Sequence, residues 1–103
     1  NVVSVELRQA RGCRLDGLEI YQAGGAVQKL SITGANAAKP SSGVRIIGCV
    51  PGDVSVNYAD TVWGRDNTIA DATVTANASN GWIGVATGTV SNSGVNFVVE
   101  GIV

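Results

Sequence analysis

The densest concentration of chemistry in the chain lies between positions 59 and 69. There the run Ala-Asp-Thr-Val-Trp-Gly-Arg-Asp-Asn-Thr-Ile brings together Asp60, Trp63, Arg65 and Asp66. An indole face beside carboxylates and a guanidinium suits a sugar ring, whose apolar face stacks on the aromatic while its hydroxyls hydrogen-bond to the charged groups. The same residues also suit a solvated turn in which Trp63 covers a neighbouring part of the fold and Arg65 pairs with a carboxylate. Glycoside hydrolysis needs two carboxyl groups about 5 to 9.5 Å apart, and Asp60 and Asp66 are the pair this segment offers.

Other catalytic kits fail at the level of composition. With no histidine in the chain, Ser-His-Asp and Cys-His arrangements and histidine-based zinc sites are impossible within it. Cys13 and Cys49 are far apart in sequence and form no metal-ligand spacing. They read as small buried side chains, with a disulfide as the alternative. The glycines at 24 and 25 are not followed by Lys-Ser or Lys-Thr and open no helix, so they form a turn and not a phosphate loop. No cofactor and no metal are expected. The formal net charge is −1 with no basic cluster, which removes the long-range attraction that nucleic acids and anionic membranes rely on. No apolar run approaches the roughly 20 residues of a spanning helix, and the N-terminus lacks the charged start and apolar stretch of a secretory signal. Asn77-Ala78-Ser79 fits the N-glycosylation acceptor pattern, which matters only in a eukaryotic secretory pathway.

The elements that must position these residues read as strands. One family of apolar-polar-apolar segments starts at Val5, Leu30, Val54 and Ile83, and a second at Leu18, Val44, Ala72 and Val95. Alternation at period two marks a strand with one buried face, and recurrence about every 25 residues marks stacked units. Gly17, Gly43, Asp71 and Gly94 precede the second family and tolerate the positive φ of a sharp corner. Turn residues recur at Gly24 and Gly25, Pro40 to Gly43, Pro51 to Asp53, Asn77 to Gly81 and Ser91 to Gly94, and no segment reads as a helix. The predicted fold class is all-β, a parallel β-helix of about four short coils. An antiparallel β-sandwich is the alternative, disfavoured because hairpin links of about two to five residues are shorter than those found here.

In this register Glu19 lies beside Arg45, Lys29 beside Asp53 and then Trp82, and Glu6 on Ser31 and Ser55. Ile46 stacks between Ile20 and Val74, so Ile46→Asp is expected to unfold the chain and Arg45→Ala to cost little. Residues 1–103 form one unit, with 59–69 as an inserted loop. The absence of methionine and the direct opening in a strand at Asn1 to Val3 suggest a piece of a longer chain. Its end strands would require caps, further coils or partner chains. Val98, Val99, Ile102 and Val103 cannot all face one core and point to self-association.

The run Gly12-Cys13-Arg14-Leu15-Asp16-Gly17-Leu18-Glu19-Ile20, followed by Ser42-Gly43-Val44-Arg45-Ile46-Ile47-Gly48-Cys49, resembles coils of the pectate-lyase-like right-handed β-helices. Among these the chain is most similar to segments of bacteriophage tailspikes and tail-fibre depolymerases. That resemblance implies a homotrimeric, virion-borne or extracellular protein used in host attachment, contacting bacterial surface polysaccharide. It carries over no catalytic residue. Two other functions stay open: a polysaccharide-cleaving enzyme fragment using the loop carboxylates, and a β-sandwich module for carbohydrate binding or adhesion.

Overall fold

A computed structural model describes residues 2–20 and 27–101. The glycine turn at positions 24 and 25 and the apolar residues Ile102 and Val103 lie outside the described residues, as does Asn1. Ten strands follow one another: β1 (Val2–Arg8), β2 (Arg14–Asp16), β3 (Val27–Thr33), β4 (Ser41–Ile47), β5 (Gly52–Asn57), β6 (Ala59–Arg65), β7 (Ile69–Val74), β8 (Ala78–Ala86), β9 (Val90–Asn92) and β10 (Val95–Gly101). No helix occurs among the described residues.

All named strand pairings are parallel. The strands form one 10-stranded sheet in the order β1-β3-β5-β7-β8-β6-β4-β2, with β9 on β7 and β10 on β8. Odd-numbered strands therefore stack in one ribbon and even-numbered strands in another, and the ribbons meet where Ile69 pairs with Ala86. A sheet that climbs one ribbon and returns along the other curls around a shared core, an arrangement compatible with a parallel β-helix. Hairpins would have produced antiparallel pairs, so the sandwich alternative does not describe this sheet.

The core follows from the alternation. On the odd ribbon Val5, Leu30, Val54, Ala72 and Val90 lie in one column, and Leu7, Ile32, Val56 and Val74 lie in the next. The even ribbon contributes Val44, Val62 and Gly81 in one column and Leu15, Ile46 and Gly64 in another. Leu30, Ile32, Val44, Ile46, Val62 and Ile83 are each 0 % exposed, and a fully buried side chain of this size contributes about 1.5–3 kcal/mol. Large and small residues alternate along a column where space demands it. A Cβ on Gly81 would lie 2.3 Å from the Phe97 ring, so the missing side chain of one turn makes room for the aromatic of the next.

The expected columns hold for Val5, Leu30 and Val54 and for the pairs Lys29 with Asp53 and Glu6 with Ser31 and Ser55. Beyond that point they shift. Ala72, assigned to the second family, continues the first, and Ile83, assigned to the first, lies on the even ribbon. Arg45 faces Arg14 and Trp63 in place of Glu19, whose bridge partner is Val50. Ile46 lies between Leu15 and Gly64, not Ile20 and Val74. The physical reason is a change of turn length: inter-turn hydrogen bonds in the second half of the chain join residues 18 apart. Segment 59–69 is accordingly no inserted loop, because β6 occupies Ala59–Arg65 and is paired on both edges.

Corners are set by left-handed backbone. Gly17 and Gly43 have φ of 70° and 68°, as their position before a strand predicts, whereas Asp71 and Gly94 are not left-handed. The corner below β4 repeats as Gly43, Thr61, Asn80 and Asn96, with φ of 68°, 53°, 56° and 54°. Asparagine adopts this region more readily than most residues, and Asn96 Nδ2 donates to Asn80 Oδ1 at 2.9 Å, tying two corners together. Cys49 is buried, its thiol directed at the Leu15 and Ile47 carbonyls at 3.6 and 3.4 Å, while Cys13 is half-buried, and both are free thiols.

Candidate functional site

Strand alternation decides which of the singled-out residues share a surface. In β6 the inward positions are Val62 and Gly64 and the outward ones Trp63 and Arg65. Parallel stacking then continues the outward Trp63 position through neighbouring turns, giving the column Arg14, Arg45, Trp63, Trp82 and Val98. Adjacent rungs of a parallel ladder are roughly 4.8 Å apart, so the column presents two indoles and two guanidiniums in a line along the stack.

Trp63 is 56 % exposed, more than its neighbour Trp82, which is half-buried. Their ring centroids are 6.3 Å apart with planes inclined at 60°, a tilted geometry within the range of favourable aromatic pairs. Grooves open on both sides of the pair. One, of about 520 Å³, is lined by Arg14, Arg45, Trp63, Arg65 and Trp82. The other, of about 430 Å³, is lined by Trp63, Trp82, Thr61, Asn80, Asn96 and Val98. The first is a cationic wall beside an aromatic floor, and the second offers amides and a hydroxyl. By contrast, the outward face of the odd ribbon carries Ser31, Ser55, Thr73 and Ser91 in one column, with no aromatic.

The four residues singled out in the sequence separate on this surface. Trp63 and Arg65 line the same groove. Asp60 lies at the start of β6, where its Oδ1 accepts hydrogen bonds from Ser42 Oγ at 2.9 Å and Thr61 Oγ1 at 3.0 Å. Asp66 stands at the next corner with φ of 57°. Neither carboxylate lines either groove. Asp60 joins two turns and Asp66 turns the chain.

Trp82, Arg45 and Arg14 escaped the sequence reading as site residues. The signal that finds them is the spacing of 18 or 19 residues between Arg45, Trp63 and Trp82, which puts a long planar side chain on the same outward position of three consecutive turns.

Comparisons with family models, curated proteins and solved structures return no match for this chain. Geometry and chemistry are therefore what bear on its function.

Proposed function

We propose that the chain is a carbohydrate-binding segment of a right-handed parallel β-helix, of the kind that phage tailspikes use to contact bacterial surface polysaccharide. The observation that carries this reading is the exposed Trp63–Trp82 pair, stacked on consecutive turns and walled by arginines and asparagines. Two apolar faces spaced along a rigid axis match successive rings of a polymer, and the flanking amides and guanidiniums supply donors for its hydroxyls. Nothing in this arrangement requires the sheet to move, so the ligand meets a surface already formed. The groove contains no carboxylate, which favours binding over cleavage. A virion or extracellular location and a homotrimeric parent belong to the same reading.

The test is affinity electrophoresis of the purified chain in gels containing purified capsular or lipopolysaccharide-derived polymers. Wild-type protein should be retarded by at least one polymer. Trp63→Ala should lose most of that retardation while keeping its melting temperature, because Trp63 is exposed and its loss opens no cavity. If the variant is retarded as strongly as the wild type, the aromatic column is not the binding surface.

A further inference from the structure

Resting on the carbohydrate reading, we infer that the ligand is an acidic glycan whose sugar-borne anions are read by Arg45 with Arg14 and Arg65, while the rings pack on Trp63 and Trp82. The parallel ladder places Arg14 directly beside Arg45. Like charges on facing positions of a sheet repel, and this pair is not neutralised in full. Arg14 Nη2 holds Asp16 at 3.0 Å, but neither Arg45 nor Arg65 has an ion pair among the described residues. All three line the groove that ends on the two indoles.

A protein of net charge −1 thus concentrates uncompensated guanidiniums in one groove. Guanidinium is planar and weakly hydrated, and it matches a carboxylate or sulfate with two parallel hydrogen bonds. A carboxylate or sulfate on a ring seated over Trp63 would meet Arg45 one rung away and relieve the repulsion between Arg45 and Arg14. Single-stranded nucleic acid would use the same kinds of group. Phosphate binding, however, draws on a broad basic surface, and only this groove is basic.

The experiment measures binding of the intact chain to four polymers: a polyuronate, dextran sulfate, neutral dextran and poly(U). The variants are Arg45→Gln, Trp63→Ala and the exposed turn control Lys39→Gln, which removes the same charge elsewhere. Expected is binding of polyuronate or dextran sulfate at least about tenfold tighter than dextran, as charged hydrogen bonds supply. Arg45→Gln should reduce that preference about tenfold and flatten its salt dependence, with Lys39→Gln unchanged. The polyuronate and sulfate arms distinguish carboxylated from sulfated rings. Equal binding of dextran and both acidic polymers, still lost in Trp63→Ala, would overturn the acidic inference and leave the carbohydrate reading standing. Tightest binding to poly(U) would overturn both, and so would an absence of binding to every polymer here and to the bacterial polysaccharides.

Discussion

Asn67 shows how one side chain can hold three turns. Its Oδ1 accepts from the Cys49 amide at 2.9 Å, and its Nδ2 donates to the carbonyls of Ile46 at 3.0 Å and Ile83 at 3.3 Å. Removing it leaves an inner amide and two carbonyls short of partners, at a cost of about 1–3 kcal/mol. Asn67→Ala should lower the urea midpoint by a corresponding amount, and Asn67→Asp should fare no better, because it turns a second acceptor toward the two carbonyls. A midpoint unchanged in both variants would show that these hydrogen bonds add nothing. In the sequence Asn67 reads only as turn chemistry, since its bridging role depends on which turns lie above and below. Trp63 was legible for the opposite reason: its neighbours in the chain already suggest an exposed position.

At the scale of strands, the type of element and the first three levels of the odd ribbon could be read from alternation and spacing. The later levels could not. Both ribbons carry the same apolar-polar-apolar pattern, so only turn length tells one from the other, and that length shortens past Val54. Small core residues such as Gly64, Ala72 and Gly81 blur the columns further, because packing against a large neighbour leaves no apolar mark in the sequence. The inward and outward assignment within β4 was nonetheless correct. Ile46→Asp places an unpaired charge at a position that is 0 % exposed, and the chain should fail to give a cooperative melt. Arg45→Gln, one residue away on the outer face, should stay within about 0.5 kcal/mol of wild type. Equal tolerance of both substitutions by circular dichroism would mean that the register of β4 and β6 is wrong.

For the molecule as a whole, β10 leaves Val95 64 % and Val98 49 % exposed, while Val99 packs on the core. An apolar outer face on a terminal strand suits association with further copies, and the tailspike reading makes the expected state a trimer. Sedimentation equilibrium of the purified chain should give three times the monomer mass. A monomer at high concentration would separate the two halves of the proposal: the aromatic column would remain a candidate sugar site, on a lone module. Neither outcome can be read from the sequence, where apolar residues of an edge and of a core look alike.

The 18-residue interval that links Ser42 to Asp60, Cys49 to Asn67, Asp53 to Asp71 and Asp71 to Thr89 also makes the gene modular. Tandem duplication of 54 nucleotides would insert one complete rung, lengthening the recognition strip by roughly 4.8 Å and leaving every inward residue inward. An insertion one codon longer or shorter would turn the following strand inside out. Reach along a polymer is thus a trait that such a lineage could adjust by copy number, in discrete steps, without redesigning a single contact.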